Sequence, residues 1–473
     1  MSPMQCRDDR TDAVRELRIA VDGIFFQYAS SGIARVWTAL FEEWAKSGFI
    51  RHIVFLDRGG GAPRMQGLHC KKIAPHDYAR TGADSLALEQ ICRELEADLF
   101  VSTYYTTPTA TPSFFFGYDM IPEMIGADLS QESWREKRRA ILHASARLMI
   151  SQNSARDLER IYGLPEGSTY VAHCGVWKSF YPPSPNEITS FRSKHRLSGQ
   201  PYVLMVGDRV GVDGYKNGKL AFDAMSRLPD PSRFTLVCVG GSAVVETGLA
   251  ALAPKTRIIR LKLDDEELRA AYGGAHAFLY PSRYEGFGMP VLEAMACGAP
   301  VVTCRNSSIA EIAGDAALFV GEDDPAGMAE AIERLCQPSV REAFIARGAV
   351  QAPKFSFADM ACQVADALIS THRRISSGEL ARPNGVWQDL RETLQTMQSP
   401  KGVGLLLRQE ARRQAVSMLR KFGGDPSRSW LWAMARELHR DPGRWMTIAG
   451  AFLRNGLGRR RQAARQEGRR RPP

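Results

Sequence analysis

The sequence has no apolar run approaching the roughly 18 residues needed to cross a bilayer as a helix. Its opening stretch, MSPMQCRDDRTDAVRELRIAV, lacks the apolar centre of a secretory signal, so no leader is expected. Cys-x-x-Cys pairs are missing too: the nine cysteines, at positions 6, 70, 92, 174, 238, 297, 304, 336 and 362, are scattered. An odd, unpatterned set reads as reduced thiols, not as a disulfide framework or a zinc site. Nothing resembling an Asp-x-Asp metal site falls in a suitable loop. These absences lead to the expectation of a soluble, cytoplasmic chain that holds no metal.

What is present is ordinary for a globular protein, with 44% hydrophobic and 24% charged residues. At 473 residues the chain is too long for one core, and two domains with an extension are expected. The net charge of +10 is unevenly placed: residues 401–473 hold 18 Lys+Arg against 5 Asp+Glu, leaving the rest slightly acidic. The basic character belongs to the tail and says little about what the body binds.

Two segments repeat one device. In LRIAVDGIFFQYASSGIARVWTALFEEWAKSG, a short β-rich run from Arg18 to Asp22 leads through a loop holding Gly23 and Gly32. A helix follows with Ile33, Val36, Trp37, Leu40, Phe41 and Trp44 on one face. In PYVLMVGDRVGVDGYKNGKLAFDAMSRL, Tyr202 to Val206 is the strand and Gly207 to Gly218 the loop. Leu220, Ala221, Ala224, Met225 and Leu228 then form the helix stripe. Strand, glycine-bearing loop, helix is how an α/β domain begins. Short apolar runs follow each start at βα spacing, namely 52–56, 98–102, 114–116, 148–151 and 170–173, then 234–239, 257–261, 277–282, 300–303 and 316–320. They predict buried parallel sheets. Between the halves, WKSFYPPSPNEITSFRSKHRLSGQP reads as a linker, and 355–372 as one more helix. Beyond about residue 375 the βα rhythm stops. The tail alternates Leu and Trp clusters with arginines, which suits either helices lying in a membrane interface or a basic appendage packed on the body.

The chemistry concentrates in AFLYPSRYEGFGMPVLEAMACGAPVVTCRNSSIAEIAGDAALFV, residues 277–320. Glu285 precedes a Gly286-Phe287-Gly288 turn, and Pro290 stands where a helix would begin and needs no N–H. The glycines let backbone approach a ligand closely. Free N–H groups near Met289 and Val291, with a helix dipole behind them, suit a phosphate. Glu293, expected in the helix's first turn, could accept paired hydrogen bonds from a ribose, or simply favour the N-terminus by about 0.3–1 kcal/mol.

This segment resembles the signature of retaining family 4 glycosyltransferases (group 1), with two glutamates separated by seven residues. Further likeness lies in VLMVGDRV and YKNGKLAF (203–222), LVCVGG (236–241), LDDEELRAAYGGAHAFLYPS (263–282), SQNSARDL (151–158) and VAHCGV (171–176), and spans roughly residues 17–375. The resemblance implies the α/β GT-B architecture: two Rossmann-like domains facing a central cleft, plus a helical C-terminal extension. The first would cover 17–185, completed by the helix 355–372; the second, 198–354, would bind a nucleotide sugar. The basic helical extension would cover 380–473, with a disordered end.

Carried over by residue, the likeness implies that Glu293 holds the ribose and Glu285 stands beside the transferred sugar. The backbone of Gly286, Phe287, Gly288, Met289 and Val291 would meet sugar and phosphate oxygens, with Gly32 and Gly207 in the glycine-bearing loops facing the donor. Lys216 would neutralise the diphosphate leaving group, with Arg209 as second cation; the alternative for each is a solvated loop charge. Arg35 is an accessory cation or a solvated one. Where the family carries histidine near the sugar, this chain has Tyr118, followed by Asp119, which reads as structural or acceptor-orienting rather than as a general base. His173 is a weaker candidate.

The resemblance thus implies metal-independent hexosyl transfer with retention, from a nucleoside-diphosphate sugar and without a further cofactor. The acceptor would be a glycan or a lipid-linked glycan of surface-polysaccharide or lipopolysaccharide biosynthesis, and the breadth of the family points to GDP-mannose as donor. No nucleic-acid partner is expected, and the tail could hold the protein at the inner face of the plasma membrane. The rival reading is a non-catalytic or other GT-B nucleotide-sugar-binding protein with a membrane- or nucleic-acid-binding basic tail.

Overall fold

The computed structural model describes residues 17–27, 32–77, 82–129, 131–210 and 214–380. The sequence-predicted extension over 380–473 therefore lies, but for Leu380, outside the described residues.

The first half runs β1 (Ile19–Asp22), α1 (Gly32–Ser47), β2 (Ile53–Arg58), β3 (His69–Ile73), α2 (Ser85–Glu94), β4 (Leu99–Ser102), β5 (Ser113–Gly117), α3 (Ile121–Met124), α4 (Glu132–His143), β6 (Ala146–Met149), α5 (Gln152–Tyr162) and β7 (Tyr170–Val171). These strands form one parallel sheet in the order β3-β2-β1-β4-β5-β6-β7. After α6 (Pro185–Lys194) come β8 (Tyr202–Val206), α7 (Gly218–Ser226), β9 (Thr235–Val239), α8 (Thr247–Ala250), β10 (Arg257–Leu261), α9 (Asp265–Gly274), β11 (Ala277–Tyr280), α10 (Met289–Ala296), β12 (Val301–Cys304), α11 (Ser307–Ala313), β13 (Ala317–Val320), α12 (Pro325–Arg334), α13 (Pro338–Gln351) and α14 (Phe357–Ser376). Their sheet is again parallel, ordered β10-β9-β8-β11-β12-β13.

The pattern follows from the residues. Strands β1, β4, β5, β9, β11 and β12 are buried along their whole length, as apolar runs covered by helices on both faces must be. On α1, Val36, Trp37, Leu40, Phe41 and Trp44 of the expected stripe are buried against the first sheet, and Ile33 is half-buried. α14 crosses back to the first domain, where Trp44 Nε1 donates to the Ala361 carbonyl at 2.9 Å.

Two readings change. β3 is an edge strand of sequence HCKKI whose residues are partly or fully exposed, so it carries no apolar run to betray it. The expected linker contains a helix, α6. Ser184 and Glu187 form a reciprocal cap at its start, with Pro185 at the first position, and Phe191 is buried beside Tyr202, their rings 6.1 Å apart.

Candidate active site

In each sheet, successive strands run outward from a central pair, and ligands of such sheets sit at the carboxyl ends where the order reverses. In the second sheet that pair is β8 and β11. Lys216 lies in the loop after β8 and Glu285 in the loop after β11, and their side chains meet there, Nζ to Oε1 at 2.6 Å.

Both loops are fixed from below. Asn217 precedes α7 with a left-handed φ of 51°, and its Nδ2 donates to the Pro281 carbonyl at 3.2 Å and the Glu322 carbonyl at 2.8 Å. The Arg283 amide donates to the Tyr215 carbonyl at 2.8 Å. The Glu285 amide donates to Ser307 Oγ at 3.0 Å, and Ser308 Oγ lies 2.8 Å from the Glu285 carbonyl and 2.9 Å from that of Phe287. The ammonium of Lys216 lies 5.0 Å from the Tyr215 ring centre and 5.7 Å from that of Tyr280. Burial opposes its charge, but the Tyr280 hydroxyl, Glu285 and Tyr215 outweigh this and hold it above the usual lysine range. It therefore stays charged. An ammonium has three N–H donors, and the pair with Glu285 uses one.

Glu293 is the fifth residue of α10 rather than part of its first turn, and only 8% of it is exposed. Tyr272 Oη donates to its Oε2 at 3.1 Å. Burial is the main force on the carboxyl and pushes its pKa up to about 7, against weaker opposition from the Tyr272 hydroxyl and the charge of Arg35. An aromatic wall joins the two carboxyls: Tyr280, beside Glu285 and Lys216, lies 5.9 Å from Phe278, which lies 5.2 Å from Tyr272. Arg35, on the first domain, pairs with Asp265 on the second at 2.6 Å and lies 4.6 Å from the Trp177 ring centre.

The remaining expected residues divide. Gly288 takes φ +106° and Gly207 φ +102°, the left-handed backbone for which glycine suits a turn. Among the described residues, a Cβ at Gly32, the first residue of α1, would meet nothing within 4 Å. Gly286 is small for another reason than ligand approach: a Cβ there would lie 2.1 Å from the Tyr118 carbonyl oxygen. It admits the first domain. The Val291 amide is not free, since it donates to the Gly288 carbonyl at 2.9 Å, and the Phe287 side chain is buried in the core. Met289, half-buried, heads α10.

Arg209 is no second cation in this arrangement. It is 1% exposed, its Nε donates to Glu246 at 2.8 Å, and its other nitrogens donate to the carbonyls of Gly240, Ser242 and Val244. It clamps the loop after β8 to the loop after β9. Tyr118 is likewise committed: its hydroxyl accepts from Trp37 Nε1 at 2.7 Å and donates to the Thr103 carbonyl at 2.8 Å, in the first domain's core. Asp119 Oδ1 accepts from the Ile121 amide at 3.0 Å, a local turn at the start of α3, while its Cβ abuts Gly286. His173 Nε2 bonds Glu311.

Sequence reasoning passed over Tyr272, Tyr280, Trp177 and Glu311. The two tyrosines read as ordinary core positions of a helix and a strand. Glu311 looks like one more helix carboxylate, yet it accepts from the Gln152 amide at 2.9 Å and the Asn153 amide at 3.1 Å, at the start of α5 in the other domain.

Two parallel-sheet Rossmann-like domains, with an acidic and a basic side chain meeting at the switch point of the second, have the GT-B class of fold. Residues 200–338, most of the second domain, match the family model of the group 1 glycosyl transferases. Over 228 residues the chain is 32% identical to the O-antigen chain mannosyltransferase B of Escherichia coli, covering 46% of this chain and 59% of that protein. It thus spans less than two thirds of that relative. Among solved structures, a sucrose-phosphate synthase from Thermosynechococcus elongatus superposes with a TM-score of 0.60 at 20% identity, covering 76% of this chain and 100% of that one. The lipopolysaccharide glycosyltransferase WaaG superposes with a TM-score of 0.57 at 18% identity, covering 74% of this chain and 99% of that one. At these identities the likeness is one of fold.

Proposed function

We propose that the protein transfers a hexosyl group, with retention, from a nucleoside-diphosphate sugar to a glycan or lipid-linked acceptor. The observation that carries this is the Lys216–Glu285 pair, 2.6 Å apart at the β8–β11 switch point, within the family's matched segment. The likeness to a mannosyltransferase of O-antigen assembly supports mannose as the sugar and a surface polysaccharide as the product.

In the proposed step the bond from the anomeric carbon to the β-phosphate oxygen breaks, and its electron pair leaves with the diphosphate. Lys216 stabilises that charge, because a fixed ammonium in a partly buried site interacts more strongly than in water. The acceptor oxygen bonds to the anomeric carbon on the face that the diphosphate vacates, and its proton passes to a departing phosphate oxygen. No protein base is required, which agrees with Tyr118 being spent on Trp37 and Thr103. Glu285 orients the sugar and the ammonium. Glu293 receives the ribose hydroxyls, which replace its contact with Tyr272.

Thermal-shift screening with UDP-, GDP-, ADP- and dTDP-sugars, followed by NMR of the product's anomeric proton, tests this reading. Stabilisation by a GDP-sugar and an α product from an α donor are expected. No binding of any nucleotide sugar, or an inverted product, would contradict it. The same assay in EDTA should proceed at an unchanged rate; loss of activity restored by magnesium would remove the metal-independent step.

A further inference from the structure

The first sheet has a switch point of its own, between β1 and β4, where the strand order reverses. Two aromatic residues stand at its carboxyl end, Phe25 after β1 and Tyr104 after β4. Both are half-buried, with ring centres 4.3 Å apart. Their backbones are tied to the strand ends. The Phe25 amide donates to Thr103 Oγ1 at 3.1 Å, and that hydroxyl donates to the Asp22 carbonyl at 2.8 Å. The Tyr104 amide donates to Ser102 Oγ at 3.1 Å. Tyr105 follows with φ +66°, a left-handed backbone that is rare for an aromatic residue and persists where the surroundings enforce it. Its own ring is buried, 5.7 Å from Phe115 on one side and 4.0 Å from Tyr104 on the other.

The pair borders the donor site. Tyr104 packs against a cluster that holds Tyr105, Met120 and Tyr284, the residue before Glu285. Burial raises the pKa of the Tyr104, Tyr215 and Tyr284 hydroxyls, and the nearby charge of Asp119 adds to it in all three. The Asp119 carboxylate therefore lies among loops of both domains, close to the segment that carries Lys216. Cations on this side are spent. Arg58, at the end of β2, donates to Asp22 at 2.6 and 2.8 Å and to Asp84 at 2.7 Å. Lys137 donates to Glu123 at 2.7 Å and to the Asp119 carbonyl at 2.9 Å. The surface beside Asp119 is thus aromatic and acidic.

We propose that Phe25 and Tyr104 form the acceptor subsite, a platform for an uncharged pyranose at the end of a growing glycan. A pyranose offers an apolar C–H face to an aromatic ring and hydroxyls at its edge, one of which Asp119 can accept. A phosphate-headed acceptor would meet spent cations and the repulsion of Asp119. The subsite therefore selects extension of an existing saccharide over attachment of a first sugar to a lipid phosphate. This inference rests on the transferase reading and narrows its acceptor.

The test is saturation-transfer NMR of the full chain with GDP and, in turn, the methyl pyranosides of mannose, glucose and galactose or dimethylallyl phosphate. Irradiation of aromatic protons should saturate the ring protons of at least one pyranoside and leave dimethylallyl phosphate unaffected. Affinity for that pyranoside should fall about tenfold in Phe25→Ala and in Tyr104→Ala. It should return in Tyr104→Phe, which keeps the ring, and GDP affinity should be unchanged throughout. Wild-type saccharide affinity in both alanine variants overturns the proposal, as does binding of dimethylallyl phosphate without any pyranoside. Loss of GDP together with the saccharide in Tyr104→Ala assigns that ring a structural role and also overturns it. Should the alanine variants misfold, the wild type decides, since saturation confined to the glycoside methyl group contradicts stacking. GDP binding without any pyranoside strikes the subsite alone, whereas no binding of GDP strikes the transferase reading as well.

Discussion

Glu293 shows how far a buried carboxyl departs from its chemistry in water. Its ordinary pKa of 4.5 rises to about 7 because its surroundings disfavour the charge more than Tyr272 and Arg35 support it. The folded state therefore binds more protons than the unfolded state between those values. Stability from this group is fully present below pH 4.5 and is lost as pH rises through 7, by about 3 kcal/mol in all. Glu293→Gln should remove this slope, so that urea-unfolding free energies of the variant exceed those of the wild type increasingly from pH 5 to 8. Parallel pH profiles would sink the burial account. Donor affinity should weaken in the same variant, since an amide is a poorer acceptor for ribose hydroxyls. Sequence placed Glu293 beside the ligand through its spacing from Glu285; its partner Tyr272, 21 residues earlier, could come only from the tertiary fold.

At the scale of elements, the two strand–loop–helix starts were legible because their strands are buried runs and their helices carry one apolar face. The same signal failed for β3, which lies at an edge, and for α6, whose prolines look like a linker until Ser184 and Glu187 are seen to cap it. The loop after β8 was legible as a site but not in its division of labour. Two basic residues enter it; Lys216 turns to Glu285, while Arg209 is consumed by Glu246 and three carbonyls. That difference depends on where the β9 loop runs, which no local pattern encodes. Arg209→Ala would take this donor from the three carbonyls, while Glu246, 27% exposed to water, would keep the hydrogen bond from Ser242 Oγ at 2.8 Å. It should destabilise the protein by about 2–3 kcal/mol, as read by urea unfolding. A change below a few tenths would show that the clamp is not formed in solution.

Across the whole molecule, the domains are joined by polar contacts around the loop that carries Glu285. Glu311 caps α5 from the other domain and bonds His173, Tyr284 reaches Asp157, and Ser154 Oγ meets the Gly286 carbonyl at 3.2 Å. Burial raises the Glu311 pKa, but His173 and the two amides prevail and hold it below 4.5. Its contribution is present above that ordinary value and is lost as pH falls through the lowered one. Glu311→Gln should therefore loosen the junction at neutral pH, seen as a larger radius of gyration by small-angle scattering and a higher donor KM with a smaller change in kcat. An unchanged radius and unchanged kinetics would mean that the remaining contacts suffice.

The account depends above all on Lys216 meeting the charge of a departing diphosphate at the switch point of the second sheet. Single-turnover transfer with saturating donor, compared between wild type and Lys216→Ala, measures this directly. A rate lower by about 100-fold or more in the variant, with donor affinity changed only a few-fold, is the predicted result. Wild-type transfer rates in the variant would contradict the claim.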